Sequence, residues 1–122
     1  MTEGQVNGVV RVWAEPVEGA VVVGVGPVLG EAAAQELVRA CGRHVREGAV
    51  GLALDLSDTA VAERGAVQAV ADAFEEFARS GVGLAVFGAE PTVEHTVHLA
   101  GVSRFARVWD TREETLAAWN AG

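Results

Sequence analysis

The stretch that most constrains the fold is a short apolar run at residues 52–56, Leu-Ala-Leu-Asp-Leu, which is followed by a polar segment. A run of this length, bounded by glycine and turn residues, is typical of a strand buried on both faces of a sheet. Helical periodicity begins after Gly65, so the intervening residues form a strand-to-helix loop. Open α/β sheets gather their binding groups at this edge, because strand carboxyl ends and helix amino ends converge there. The sequence therefore predicts a buried strand with a functional loop directly behind it.

The rest of the chain continues the alternation of strands and helices. Strands are predicted at residues 9–13, 20–25, 52–56, 82–87 and 105–109, and helices at 31–47, 64–80, 90–101 and from 110 onward. The short link between the first two strands contains Pro16 and Gly19 and indicates an antiparallel hairpin. Helices between the later strands indicate parallel crossovers. We predict a single α/β domain spanning residues 1–122, with a mixed, mostly parallel sheet of about five strands flanked by four helices.

Charge and cysteine content exclude several classes of function. The net charge is -8 at pH 7, so the chain lacks the basic face that nucleic acids and anionic lipids require. Its nine basic residues are all arginine, which excludes lysine-based chemistry. A single cysteine, Cys41, allows no internal disulfide, and the amino terminus does not have the pattern of a signal peptide. We expect a cytoplasmic protein with no nucleic-acid and no membrane partner.

Four local patterns follow one another in an order that resembles a known family. They are Leu-Asp-Leu-Ser at 54–57, Gly65 before an apolar helix, the glycine-bounded strand at 81–88, and the pair of stretches at 97–105 and 109–114. Together they resemble the STAS domain, the fold of bacterial anti-sigma-factor antagonists, over about residues 9–119. The resemblance implies a non-enzymatic regulatory module whose partner is an anti-sigma factor or a related serine-kinase-like protein, with no cofactor.

The chain departs from the family at the start of the second helix. The family carries Asp-Ser-Ser-Gly there, and one of those serines accepts phosphate from a kinase that is also the anti-sigma factor. This chain has Val-Ala-Glu-Arg-Gly at 61–65 in a loop that is one residue shorter, so either Glu63 or Arg64 stands near the acceptor position. Glu63 would imitate a phosphate weakly, with one charge instead of about two, whereas Arg64 would do the opposite. We predict that no residue beside Gly65 is phosphorylated.

The candidate site follows from this alignment. We expect partner binding through the loop and the exposed side of the second helix, with no catalytic residue and no metal ligand. The predicted partner-binding residues are Ser57, Asp58, Thr59, Val61, Glu63, Arg64 and Gly65.

Two alternative functions compete with this interpretation. The chain could be a constitutive scaffold subunit that forms a homodimer through the exposed side of the first strand. It could also be a small nucleotide-binding protein, because Gly24–Gly30 follows a strand and opens a helix, with Asp55 placed like a ribose-binding acid. The glycine spacing is GxGxxxG instead of GxGxxG, and Pro27 removes an amide that would face phosphate.

Other chemistry-bearing residues have simpler structural interpretations. His95 and His98 share a helix side, but no carboxylate accompanies them in a zinc motif, so solvated helix residues are expected. Cys41 falls on an apolar helix stripe and is expected to be a buried structural thiol. The three tryptophans, Trp13, Trp109 and Trp119, are expected to pack against the core or a sheet edge.

Overall fold

The computed structural model of the chain describes residues 2–6 and 9–121, with side chains from 9 to 119. Met1, Asn7, Gly8 and Gly122, which the predicted domain includes, lie outside the described residues. In chain order the elements are β1 (Thr2–Val6), β2 (Val10–Val17), β3 (Ala20–Gly26), β4 (Val28–Leu29), α1 (Glu31–Arg46), β5 (Gly51–Asp55), β6 (Val61–Ala62), α2 (Arg64–Arg79), β7 (Gly83–Phe87), α3 (Pro91–Leu99), a 3-10 turn (Val102–Arg104), β8 (Arg107–Trp109) and α4 (Arg112–Ala121).

The main sheet has six strands in the order β1-β2-β3-β5-β7-β8, and β4 pairs with β6 in a separate two-stranded sheet. The pairs β1–β2 and β2–β3 are antiparallel, whereas β3–β5, β5–β7 and β7–β8 are parallel. The predicted α/β class, the four helices and the five predicted strands of the mixed sheet are therefore confirmed, and β1 adds a further strand.

The expected free edge of the first predicted strand is absent. β1 pairs with β2 from Val6 opposite Val10 to Thr2 opposite Trp13, and β3 pairs with β2 on its other side. The hypothesis that a second copy adds to the sheet at residues 9–13 is therefore wrong, because those backbone groups already have partners within the chain.

The hairpin between β2 and β3 is longer than predicted. β2 continues through Pro16 to Val17, and the turn consists of Glu18 and Gly19, with φ of 50° and 88°. Within the described residues β1 pairs with β2 only as far as Trp13, so Pro16 lies beyond that pairing, and its missing N–H removes no hydrogen bond between these two strands. Two consecutive residues with positive φ fit a two-residue hairpin turn whose twist matches the strands.

The two faces of the sheet carry cores of different size. On β5, Leu52 and Leu54 point into the large core formed with α1, α2 and α3, whereas Ala53 points to the opposite face, as the strand period of two requires. The smaller cluster consists of Val22, Ala53, Ala85 and Phe87, with Trp13, Val17, Trp109 and Trp119 packed against it. The tryptophans therefore pack against the sheet, as expected.

Helix packing agrees with the sequence patterns. The apolar periodicity that begins after Gly65 corresponds to a stripe on α2 that is buried at Val67, Val70, Ala71 and Phe74. Cys41 is buried in the large core, and burial raises the pKa of its thiol to about 12, so it is a structural thiol and not a nucleophile.

The amino end of α4 carries a reciprocal cap. The Thr111 hydroxyl accepts a hydrogen bond from the Glu114 amide at 3.1 Å, and the Glu114 carboxylate accepts one from the Thr111 amide at 3.1 Å. None of the helices in the described part of the chain combines the length and apolar character needed to cross a membrane.

Candidate functional site

We call residues 57–65 the docking segment. Its backbone is fixed by the segment that precedes α1. The amides of Ala60 and Val61 both donate to the Pro27 carbonyl, at 2.7 and 3.1 Å. The Glu63 amide donates to the Leu29 carbonyl at 3.0 Å, next to the short parallel pairing of β4 with β6. The backbone of the predicted loop is therefore held in one conformation by hydrogen bonds.

Asp55 organises the start of the docking segment. Its side chain is only 8% exposed, and Oδ1 accepts hydrogen bonds from the Ser57 amide at 2.9 Å and from the Ser57 hydroxyl at 2.6 Å. This is the local turn that an aspartate forms with the backbone two residues on. Gly88, with a φ of 81°, lies against Ser57 so closely that a Cβ there would stand 3.1 Å from the Ser57 Cβ. Asp55 thus shapes the turn, and its Oδ1 is already engaged within the chain.

Thr59 is a correction to the predicted site. Its side chain is 3% exposed, and its hydroxyl donates a 2.7 Å hydrogen bond to the Val25 carbonyl on β3. A hydroxyl in this position ties the docking segment to the sheet and cannot contact a partner directly. The physical reason is that the turn after β5 folds the segment back over the end of β3, which sequence spacing does not reveal.

The other predicted residues lie together on the surface. They form one exposed ridge at the carboxyl ends of the parallel strands, and they are Ser57, Asp58, Val61, Glu63, Arg64 and Gly65. Val61 is 53% exposed and is the large apolar side chain of this ridge. Single exposed apolar side chains are common on protein surfaces, and here Val61 gives an otherwise polar ridge one apolar contact point.

An open groove between α1 and α2, which was not predicted from the sequence, adjoins the ridge. It has a volume of ≈ 610 Å³ and includes Glu63 and Gly65 from the docking segment. The side chains that form its apolar floor are those of Ala34, Val38, Ala66 and Ala69. Three of these four residues are alanines, whose short side chains leave open space at the surface between the two helices. The sequence shows the alanines but not which of them face each other.

Glutamate side chains near the amino end of α1 give this edge of the sheet a negative charge. Glu63 precedes α2, but its side chain does not cap that helix. Its Oε1 instead lies 3.2 Å from where a Gly30 Cβ would be, beside the first residue of α1, Glu31. Negative charge is favourable at a helix amino end. Arg64 opens α2, whose first turn contains no acidic residue.

The same geometry argues against a phosphate site at Gly24–Gly30. A Cβ on Gly24 would collide with the Trp13 indole, and one on Gly26 would collide with the Asp58 carbonyl. These glycines therefore permit close packing within the chain, and the space beside them is filled. At Gly30, the Glu63 carboxylate occupies the position that an anionic ligand would need.

The histidines do not assemble a metal site. His95 and His98 are both exposed on α3. Within the described residues, no group of three or more histidine, cysteine or carboxylate side chains is arranged to hold a metal ion.

Comparison with known proteins agrees with this architecture. The family model described as STAS domain matches residues 14–115. No curated protein sequence matches the chain.

Three solved structures have the same fold. An anti-sigma factor antagonist from Mycobacterium paratuberculosis superimposes with a TM-score of 0.78 at 22% identity, covering 93% of this chain and 96% of that one. The anti-sigma factor antagonist SpoIIAA in its unphosphorylated form gives a TM-score of 0.75 at 16% identity, covering 91% and 97%. A putative anti-sigma factor antagonist from Thermotoga maritima gives 0.74 at 18% identity, covering 86% and 91%. Since the family model spans most of the sequence and the fold agrees, the chain belongs to the STAS domain family.

Proposed function

We propose that the chain is a non-enzymatic regulatory module that binds an anti-sigma factor, or a related serine-kinase-like protein, through the docking segment and the groove between α1 and α2. The observation that carries the proposal is the exposed ridge at residues 57–65, held on a hydrogen-bonded backbone beside an apolar groove. A fixed backbone lowers the conformational entropy that is lost on association, which favours binding.

Val61 and the groove supply the apolar part of this surface. Val61 is 53% exposed, so a partner that covers it removes about half of its surface from water. Full burial of a valine side chain contributes about 1.5–3 kcal/mol. A bulky apolar side chain of the partner fits the groove, whose floor consists of alanine and valine. Exposed charges at Asp58, Glu63 and Arg64 surround this apolar centre and would give specificity and orientation.

The hydroxyl groups of the docking segment support binding that is independent of phosphorylation. The segment contains two hydroxyls, on Ser57 and Thr59. The Ser57 hydroxyl donates to the Asp55 carboxylate, and the Thr59 hydroxyl is buried against the Val25 carbonyl. A phosphate on Ser57 would stand against that carboxylate, and one on Thr59 would need the turn to open. The position near which the family carries its acceptor serine holds Glu63 and Arg64, which cannot accept phosphate.

The nature of the exposed groups favours recognition over catalysis. Acid–base catalysis generally uses groups that are desolvated and close to a reacting atom. Asp58, Glu63 and Arg64 are all exposed to solvent. We therefore assign them to partner contact.

The direct test measures affinity for the anti-sigma factors of the source organism by calorimetry, with matched valine variants. Val61→Asp should weaken binding at least tenfold, because it replaces buried apolar surface with a charge. Val50→Asp is the control, since Val50 is 70% exposed and precedes β5, at the opposite end of the sheet. The proposal is wrong if both variants bind like the wild type, or if both lose affinity equally.

Phosphorylation is tested separately. The chain is incubated with each partner that has kinase activity and with ATP, and intact mass and peptide masses are then determined. We expect no phosphate on residues 57–65. A phosphate within this segment would refute the proposal that binding is independent of phosphorylation, whatever the affinity for the partner.

A further inference from the structure

A second cavity lies at the end of the sheet opposite the docking segment. We call it the hairpin cavity, because it is enclosed by the β2–β3 hairpin, the starts of β5 and β7, and α4. Its volume is ≈ 440 Å³, which is in the size range of small-molecule sites. Val17, Val50, Leu116 and Trp119 form its apolar walls.

Two glycines keep the floor of the hairpin cavity open. A Cβ on Gly51 would stand 3.6 Å from a ring carbon of Trp119, and one on Gly83 would meet only the Val50 carbonyl oxygen, at 3.8 Å. Both glycines begin strands, and neither has a positive φ, so the backbone at these positions does not itself require glycine. The space above them therefore results from missing side chains and not from a special backbone.

Glu18 is the ionisable residue in the lining of this cavity. It adopts a φ of 50° at the hairpin turn, a conformation that asparagine or glycine adopts more readily. Its carboxylate forms no ion pair with any described residue. A carboxylate without an ion-pair partner and a tryptophan that line the same cavity can together recognise an ammonium group, by charge and by cation–π attraction. The chain's net charge of -8 adds to this preference and repels anions.

We propose that the hairpin cavity binds a small amphipathic amine, with its apolar body between Trp119, Leu116 and Val50 and its ammonium group at Glu18. The site lies at the far end of the strands from the docking segment, so an amine and a protein partner can bind at the same time. The proposal does not depend on the function proposed for that segment.

The test uses phenylbutylamine, with phenylbutyrate as the anion of similar shape and phenylbutanol as the neutral one. Calorimetry should give a dissociation constant on the order of a millimolar for the amine, as expected for a ligand of this size. Amide NMR signals of Gly51 and Gly83 and the indole N–H signal of Trp119 should shift with the amine. Equal or tighter binding of phenylbutyrate, or shifts located elsewhere, would overturn the proposal.

Two variants locate the site. Gly83→Val fills the cavity and should weaken amine binding at least tenfold, whereas Ala32→Val, at an exposed position of α1 outside the cavity lining, should leave it unchanged. Glu18→Gln should weaken amine binding about three- to fivefold, as an exposed ion pair would, and leave phenylbutanol unchanged. Wild-type affinity in either Gly83→Val or Glu18→Gln would show that the amine does not bind as proposed.

Discussion

Thr59 provides a quantitative test of how the docking segment is held. Replacing it with valine keeps the shape and removes the hydroxyl that donates to the Val25 carbonyl at 2.7 Å. The side chain is 3% exposed, so water cannot readily replace the lost bond. A buried hydrogen bond contributes about 1 kcal/mol, and an orphaned partner adds to the loss, so Thr59→Val should lower the free energy of unfolding by about 1–2 kcal/mol. With an unfolding entropy scaled to 122 residues, this corresponds to a decrease in Tm of about 4–8 °C.

The assay is equilibrium unfolding in urea, followed by tryptophan fluorescence. Thr96→Val is the matched control, because the Thr96 hydroxyl donates at 3.2 Å to the Thr92 carbonyl in an exposed part of α3. That substitution should change stability by no more than about 0.5 kcal/mol. If Thr59→Val and Thr96→Val unfold at the same urea concentration, the buried hydroxyl does not anchor the segment and our explanation of its rigidity fails.

Three further substitutions test other parts of the fold. Glu18→Asn should raise the free energy of unfolding by about 0.5–1 kcal/mol, because asparagine tolerates the positive φ at the hairpin turn better than glutamate does; urea midpoints that do not rise would contradict this. Gly24→Ala should lower it by at least about 2 kcal/mol, since the new methyl group collides with the Trp13 indole, and a shift in tryptophan emission should accompany the loss. Arg112 donates two hydrogen bonds to Glu15, at 2.8 and 3.1 Å, which lowers the pKa of that carboxyl. A lowered pKa in the folded state stabilises the protein above the carboxyl's unfolded pKa, and this contribution disappears as pH falls through the folded pKa. Both side chains are partly exposed, 32% for Arg112 and 47% for Glu15, so solvent screens the pair. Arg112→Gln should therefore cost at most about 1 kcal/mol at neutral pH, and the difference from wild type in urea titrations should vanish at acidic pH.

Much of the architecture was predictable because its determinants are local. The apolar run at residues 52–56 is buried on both faces, and the helical stripe at Val67, Val70 and Phe74 faces the large core. The cap at Thr111 and Glu114 was visible from its spacing alone. Features of this kind depend on residues that are neighbours in sequence.

The missed features depend on contacts between distant residues. The sequence of β1, Thr-Glu-Gly-Gln-Val, lacks the alternation of apolar and polar residues that is typical of strands. It is a strand because it pairs with β2. The short strand β6 inside the predicted loop forms by pairing with Val28 and Leu29. The burial of Thr59 depends on Val25, 34 positions earlier in the chain. Spacing along the sequence does not indicate any of these partners.

The candidate site was predictable in position but not in detail. The rule that strand carboxyl ends gather functional groups led to residues 57–65, and six of the seven predicted side chains are exposed there. The groove between α1 and α2 could not be inferred, because it depends on which small residues of the two helices face each other in the folded chain. Similarly, the side chain of Glu63 turns toward the amino end of α1, although it precedes α2 in the sequence.

The most direct test of our central claim is hydroxyl-radical footprinting of the chain, alone and in complex with the anti-sigma factor that we propose as its partner. Val61 and Val50 are 53% and 70% exposed, so both should be oxidised in the free chain. We predict that complex formation protects Val61 strongly and leaves Val50 unchanged. A complex in which Val61 is oxidised as fast as in the free chain would show that the partner binds elsewhere, and would contradict the account.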